Sequence, residues 1–220
     1  MTAQPKSARS GTEKKRQSRR PGRPAGLAVS GEQFKELILE ATARVYSERG
    51  YHGTSVQHII KAAGVSRPTF YRYYSDRYEV LDVVIGRVNE DLRDLIVTAV
   101  AGTDDVELIL ERVVDAYFAW GDNIGSMAGP IYQEIHDPAS PASAHRARNL
   151  SELLTLFTQR ASEGLPVTDE PLLYEAAIQV VEYLGHATFW PKKLPPEDSR
   201  RRKAVILQAL RGMLLSKETP

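Results

Sequence analysis

The apolar positions after residue 30 follow the spacing of amphipathic helices. Apolar side chains between residues 34 and 45 fall on one helical stripe, and four more, starting at Val56, recur at i, i+3, i+4 and i+7. A third, shorter helix places Phe70 and Tyr74 four residues apart, where both can point inward. No strand-like alternation is sustained, and no repeat appears at a fixed period. The pattern therefore predicts an all-α protein of about nine helices.

Polar residues mark where these helices begin. Three pairs have the spacing of a capping box, in which the two residues satisfy each other's backbone N–H groups. The pairs are Ser30 with Gln33, Thr54 with Gln57, and Asp76 with Glu79. Gly50 is expected to end the first helix, and Gly64 suits the turn after the second because it tolerates positive φ. Ser66 can cap the third helix, with Pro68 in its first turn.

The stretch 54–74 therefore reads as two short helices joined by a tight turn. Arg67, Thr69, Tyr71, Arg72 and Tyr73 are expected on the outer side of the second of these helices. A glycine turn followed by a helix rich in Arg, Thr and Tyr is the helix-turn-helix pattern. The second helix of that motif enters the major groove of DNA.

The remaining stripes and breaks predict six further helices. The fourth carries a stripe from Leu81 to Ile96, and the fifth runs from Val106 until Gly121–Gly125 breaks it. A short sixth helix covers Met127–Ile135. The seventh begins at Ser140 with Pro141 and runs to Gly164, the eighth carries a stripe from Leu173 to Thr188, and the last carries one from Ile206 to Leu214.

Charge is unevenly distributed along the chain. Residues 1–30 hold eight cations and one carboxylate, a net +7, so the total of +1 leaves −6 for the other 190 residues. Residues 1–29 have too few apolar side chains to fold alone and are expected to be a disordered basic arm. Within it, the stretch Arg19–Pro24, which includes Arg20 and Arg23, resembles the Gly-Arg-Pro core of AT-hook-like arms that lie in the minor groove. A solvated tail is the alternative interpretation.

Residues 41–81 resemble the DNA-binding domain of the TetR family of bacterial transcriptional regulators. The residues that carry the resemblance are Ala41, Tyr46, Gly50-Tyr51, the run Thr54–Ile59, the run Ala62–Ser66, and Tyr71, Tyr74, Arg77, Val80 and Leu81. The family often has Phe where this chain has Tyr74 and Lys where it has Arg77. The resemblance implies three parts: the arm at 1–29, a helix-turn-helix domain at 30–77, and a helical ligand-binding and dimerisation domain at 78–220.

The resemblance also implies which side chains face DNA. Hydroxyl and guanidinium groups at the start of the third helix can reach phosphates or guanine edges. The predicted contacts are Ser55, Gln57, Ser66, Arg67, Pro68, Thr69, Tyr71, Arg72, Tyr73 and Arg77, with Arg20 and Arg23 from the arm. Arg77 would clamp the DNA backbone from the start of the fourth helix. The alternatives are a solvated helix face and, for Ser55 and Gln57, simple helix capping.

Large aromatic and polar-tipped side chains in the fifth to eighth helices are candidates for a ligand pocket. Such pockets are mostly apolar and carry a few polar groups. The candidates are Tyr117, Trp120, Met127, Tyr132, Phe157, Tyr183, His186 and Trp190. The alternative is that aromatic residues at helical spacing form an ordinary core.

These expectations describe a cytoplasmic regulator with double-stranded operator DNA, an unknown small-molecule effector and a second copy of itself as partners. The resemblance implies a homodimer through the last two helices and a palindromic operator, which a repressor releases when an apolar or amphipathic effector binds. A ligand-independent architectural DNA binder, a helical enzyme or an adaptor are the alternatives. The sequence has no cysteine, no zinc-binding histidine spacing and no nucleophile elbow, so no metal, cofactor or catalytic site is predicted. No apolar run reaches the length of a membrane span.

Overall fold

The computed structural model describes residues 30–215, which form nine α-helices. The helices are α1 Gly31–Gly53, α2 Val56–Ala63, α3 Arg67–Tyr73, α4 Arg77–Val100, α5 Val106–Ile124, α6 Ala128–Glu134, α7 Pro141–Ser162, α8 Pro171–Phe189 and α9 Pro196–Leu214. A 3-10 turn at Gly125–Met127 joins α5 to α6. The only β pairing within residues 30–215 is an isolated bridge between Val167 and Leu215. The predicted all-α fold is confirmed.

The helix starts follow the predicted caps, with one exception. Ser30 and Gln33 form a reciprocal capping box at α1, and Asp76 accepts the backbone N–H of Glu79 at α4. The prediction that Thr54 caps α2 is wrong, because Ser55 is the residue that accepts the N–H of His58. Thr54 is buried instead, and its hydroxyl donates to the carbonyl of Gly50 at 2.7 Å.

The end of α1 is built around Gly50. Its φ of 63° and ψ of −174° interrupt the helix where the sequence predicted its end, and one further turn continues to Gly53. The Arg77 guanidinium donates to the carbonyls of Tyr51 and Thr54 at 3.2 and 2.8 Å and lies over the Tyr51 ring. Arg77 therefore ties the start of α4 to the end of α1.

The N-terminal core extends beyond the helix-turn-helix segment. Tyr46, Ile59 and Phe70 are fully buried there, and they pack with Leu81 and Ile85 from α4. The same cluster includes residues of α6 and of the turn before it. Residues on both sides of the boundary predicted at residue 77 therefore share one core, which joins α4 and α6 to the first three helices. The division into two domains stays a prediction.

Helix α5 is longer than predicted. The sequence predicts a break at Gly121–Gly125, whereas the helix continues to Ile124 and ends at Gly125, where φ is 54°. Gly121 lies inside the helix because the Phe189 ring packs against it, and an added Cβ would come within 2.2 Å of that ring. The glycine thus serves a close contact with α8 rather than a turn.

A second apolar core joins α5, α8 and α9. Val114, Tyr174, Ile206 and Leu210 are among its buried members, and residues of α4 and α7 pack against it. Within residues 30–215, no helix combines the length and the apolar character that crossing a membrane requires.

Candidate DNA interface and ligand cavity

Helix α3 is held firmly at its buried side. Gly64 adopts the left-handed conformation, with φ of 66°, and so allows the tight turn from α2. Ser66 then caps α3 by accepting the N–H of Thr69 at 3.2 Å. Phe70 is fully buried, and its ring lies 6.0 Å from that of buried Tyr74. These contacts fix the orientation of α3, and Phe70 and Tyr74 point inward as the sequence predicts.

The opposite side of α3 carries exposed cationic and aromatic groups. Ser66, Arg67, Pro68, Tyr71 and Arg72 are all exposed. The Arg67 guanidinium lies 5.4 Å from the centre of the Tyr71 ring. Exposed guanidinium, hydroxyl and aromatic groups on one anchored helix are the chemistry that contacts phosphates and base edges.

Two of the predicted DNA contacts are placed differently from the rest. Tyr73 is half-buried, and its hydroxyl lies beside Gly31 at the start of α1. Arg77 directs its Nη1 to backbone carbonyls of the chain itself, as described above. Both therefore have a role in the fold, and their contact with DNA stays a prediction.

The remaining predicted contacts flank α3 or precede the described residues. Gln57 is exposed on α2, and Ser55 is half-buried at the cap of that helix. Thr69 is half-buried, and its hydroxyl lies 2.7 Å from that of Ser66. Arg20 and Arg23 lie outside the described residues.

A cavity of about 100 Å³ lies between α4, α5, α6, α7 and α8. Five of the eight predicted ligand contacts line it, namely Tyr117, Trp120, Tyr132, Phe157 and His186. The other three do not. Met127 is buried in the N-terminal core, Tyr183 is 66 % exposed, and Trp190 is exposed with its ring against His186 and Gly129.

The polar groups of this cavity include residues that the sequence analysis missed. Arg146 of α7 donates to Glu182 of α8 at 2.8 Å, and both side chains are largely buried. Asn149 donates to Asn89 at 2.8 Å. Glu182 interrupts an apolar stretch of α8, which is a signal in the sequence, whereas Arg146 lies in a polar run that gives no such signal.

His186 is the most unusual polar side chain of the cavity. Its ring stacks on Tyr132 with centroids 3.7 Å apart, and its buried Nε2 has no hydrogen-bond partner. Burial lowers the pKa of His186 to about 4, so the ring is neutral at pH 7. Burial also raises the pKa of Tyr132, and the nearby Glu182 carboxylate raises it further. The Nε of Arg146 is likewise buried without a partner.

A second cavity of about 80 Å³ adjoins the first. Val113 and Phe157 line both cavities, so they form the partition between them. The surface of the second cavity is almost entirely apolar, and residues such as Leu110, Leu165 and Ala177 line it. Arg160 of α7 is also in the lining, and its buried Nε has no hydrogen-bond partner.

Helix α6 connects the first cavity to the helix-turn-helix domain. Ile131 and Tyr132 line the cavity, while buried Glu134 on the same helix faces α1. The Glu134 carboxylate accepts the Tyr46 hydroxyl at 2.8 Å and the Tyr51 N–H at 2.6 Å. It also accepts the hydroxyl of Ser140, the cap of α7, at 2.9 Å. In the described range, no group of three or more acidic or histidine side chains is placed to hold a metal ion.

Comparison with known proteins agrees with this architecture. The described residues form an N-terminal helix-turn-helix segment followed by a helical part that encloses two cavities. Residues 38–84 match the family model described as bacterial regulatory proteins, tetR family. The resemblance of the N-terminal segment to the TetR family, predicted from the sequence, is therefore confirmed over these residues.

Relatives and solved structures show how far the similarity extends. The chain is 29 % identical over 109 residues to the HTH-type transcriptional activator FasR of Mycolicibacterium smegmatis, covering 49 % of this chain and 50 % of FasR. It is 38 % identical over 71 residues to the regulator EthR of Mycobacterium tuberculosis, covering 32 % and 30 %. The matched part of the chain thus spans half or less of these two relatives. A transcriptional regulator from Rhodococcus sp. RHA1 shares the fold, with a TM-score of 0.67, 16 % identity, and coverage of 83 % and 98 %.

Proposed function

We propose that this protein is a DNA-binding transcriptional regulator whose α3 enters the major groove. The observation that carries the proposal is the exposed Arg67, Tyr71 and Arg72 surface on a helix anchored by buried Phe70. Arginine can donate two hydrogen bonds to guanine, and tyrosine can contact phosphate or thymine methyl groups. The TetR-family match over residues 38–84 supports the same role for this helix.

We further propose that the regulator is a homodimer. The outer surface of α8 and α9 leaves Leu172, Tyr183 and Val205 exposed by 70, 66 and 49 %. A second copy of the same surface would cover these apolar groups through a two-fold axis. Such symmetry sets the two α3 helices about one DNA turn, roughly 34 Å, apart and therefore demands a palindromic operator.

The cavity supports an effector-controlled regulator rather than an architectural DNA binder, whose helical domain would be solid. We propose that a small apolar or amphipathic molecule in the cavity favours a dimer whose two α3 helices no longer fit consecutive grooves. Helix α4 runs from the DNA domain to the cavity and remains one lever in this proposal. Helix α6 offers a second, because Tyr132 faces the cavity and Glu134 holds α1.

Repression with release by the effector is the direction that we favour. Activation is the second candidate, because FasR, the relative at 29 % identity, is named as a transcriptional activator. A regulator of either kind works on chromosomal DNA, so we place the protein in the cytoplasm.

The experiment that tests DNA recognition is selection of binding sites by the purified full chain from a random duplex pool. We expect a two-fold symmetric consensus, bound far more tightly than scrambled duplex in a gel-shift titration. Arg67→Ala together with Arg72→Ala should abolish that preference. The proposal would be overturned if the selection enriched no consensus sequence, or if the doubly substituted protein still preferred the consensus.

A further inference from the structure

We propose that the effector is a straight-chain amphipath with an uncharged hydrogen-bonding head group, whose chain passes Phe157 from the first cavity into the second. This inference rests on the proposed function, since it names the ligand class of the same cavity. Three features carry it: the neutralised polar end, the unpaired polar atoms and the partition between the two cavities.

The polar end of the first cavity is already balanced in charge. The Arg146 guanidinium and the Glu182 carboxylate are 2.8 Å apart and largely buried. A ligand carboxylate would therefore place a second anion beside Glu182, with one cation to share, in a mostly apolar cavity. Burying an uncompensated charge is far costlier than burying a neutral polar group that finds a hydrogen bond. The charge balance thus favours a neutral head group such as an amide, ester or hydroxyl.

Two polar atoms at this end have no partner within the protein. They are Nε of Arg146, which is a donor, and Nε2 of His186, which donates or accepts according to its tautomer. Buried polar groups are rarely left unpaired. A carbonyl oxygen can accept from Arg146, and an amide or hydroxyl hydrogen can be donated to His186. An amide carries both an acceptor and a donor, so its chemistry matches that of both atoms.

The arrangement of the two cavities determines the shape of the ligand's apolar part. Each cavity is smaller than the roughly 300–1,000 Å³ typical of small-molecule pockets. Phe157 separates them, is half-buried and packs near Tyr174, with ring centroids 6.1 Å apart. A rotation of this ring would join the two cavities into one space. That space would have Arg146, Glu182 and His186 in its first part and an almost entirely apolar surface in its second, with Arg160 in the lining there. Such an arrangement fits an amphipath with an unbranched chain.

The test is a titration of the full chain with straight-chain primary amides and carboxylates of roughly four to twelve carbons, in which each buried methylene should raise affinity about three- to fourfold. The readout is tryptophan fluorescence, because Trp120 lines the cavity and Trp190 stacks on His186. We expect each longer amide to bind at least about tenfold more tightly than the carboxylate of equal length. Tighter binding of the carboxylate, or no dependence on chain length, would overturn the inference.

Three substitutions separate the contribution of the ligand's head group from that of its chain. Ala177→Leu fills the second cavity and should remove the gain for long chains while leaving the shortest amide unchanged, and Leu165→Phe serves the same purpose from the loop. Ala119→Leu, on an exposed position of α5, is the matched control.

Glu182→Gln leaves Arg146 without its carboxylate and should shift preference at least about tenfold toward the carboxylate series. An unchanged preference in Glu182→Gln would contradict the proposed head group.

Operator binding by the same preparation distinguishes the two proposals. If the protein binds the selected duplex but binds neither the amides nor the carboxylates, the proposed DNA recognition stands and the proposed ligand class is overturned. A chain that binds the amides as expected but selects no duplex supports the ligand class and overturns the regulator.

Discussion

At the scale of single residues, α3 shows how a few side chains divide between fold and function. Phe70 is buried and fixes the helix, whereas Arg67 and Arg72, on either side of it, are exposed. Tyr71 is 45 % exposed although its neighbour Phe70 is fully buried. Because Phe70 points inward and its neighbours point outward, the cationic and aromatic groups lie together on the surface that we propose enters the major groove.

Arg72→Ala is expected to relax sequence preference at one or two base pairs of each half-site. A bidentate contact to guanine contributes roughly 1–3 kcal/mol of discrimination. Competition titrations with operators carrying single base-pair changes measure this loss, and Arg112→Ala, at an exposed position of α5, is the control. An equal loss on every duplex would show that Arg72 contacts phosphate and reads no base.

His186 should make stability depend on pH. Its pKa of about 4 lies below the usual 6.5 because of burial, so the unfolded chain binds more protons between these values. The free energy of unfolding should therefore fall as pH drops from 6.5 to 4, by at most about 1.4 kcal/mol per pH unit from this group. Chemical denaturation of wild type and His186→Gln measures the difference, with exposed His136→Gln as the control. Parallel pH profiles for wild type and His186→Gln would refute this assignment.

At the scale of elements, α6 is the part of the structure that the sequence revealed least. Its existence followed from the apolar spacing around residues 127–135, but its role depends on contacts across about 85 positions of the chain, from Tyr46 and Tyr51 to Glu134. Hydrogen bonds of that kind leave no local pattern. The Glu134 carboxylate is buried, where an unpaired charge would be costly, so it needs its three hydrogen-bond donors. Through these donors, α6 is tied to α1 and to the cap of α7.

Glu134→Gln should weaken both stability and the coupling between the two domains. The amide keeps one acceptor oxygen but replaces the other with a donor, so a partner on α1 or Ser140 is lost, at a cost of roughly 1–3 kcal/mol in unfolding free energy. The ratio of operator affinities with and without a straight-chain amide should move toward one. Glu48→Gln, exposed on α1, is the control. A ratio that stays at the wild-type value would show that α6 does not transmit the signal.

The helices themselves could be predicted because their information is local. Apolar stripes and caps at Ser30, Ser66 and Asp76 identified α1, α3 and α4, while the Thr54 cap was misplaced by one residue. The break expected at Gly121 was wrong because the glycine accommodates the Phe189 ring, 68 positions later. The pairing of Arg146 with Glu182 was out of reach for the same reason. Spacing predicts which face of a helix is buried, but it does not predict which side chain meets another across the core.

At the scale of the whole molecule, the proposed DNA recognition requires two-fold symmetry and positive charge. A monomer carries one α3 and could contact a single half-site. Apolar groups of α8 and α9 are exposed, and they are the surface that we propose a second copy covers. The basic residues of segment 1–29, which precede the described part of the chain, offer additional charge for DNA.

Tyr183→Glu should separate the dimer and weaken operator binding together. Tyr183 is 66 % exposed on α8, so the substitution should leave the protomer folded while placing a charge at the proposed two-fold interface. Sedimentation velocity measures the oligomeric state, and gel shift measures the affinity. The control is Gln133→Glu, which adds the same charge at an exposed position of α6, outside the proposed interface. A dimer that survives Tyr183→Glu, with full operator affinity, would exclude this face.

Deleting residues 1–25 should weaken binding to every duplex and flatten the dependence of affinity on salt. Each phosphate that loses a cation lowers the slope of log K against log salt by about 0.9. Fluorescence anisotropy across a salt series measures that slope for the full and the shortened chain. An unchanged slope would show that the arm does not contact DNA.

The proposal that a symmetric pair of α3 helices reads DNA is tested most directly by a hydroxyl-radical footprint of the full chain on its selected duplex. Two protected regions should appear, related by two-fold symmetry and centred roughly one helical turn, about 34 Å, apart. Arg72→Ala should weaken both regions equally. A single protected region, or protection without a defined centre, would contradict the proposed mode of recognition.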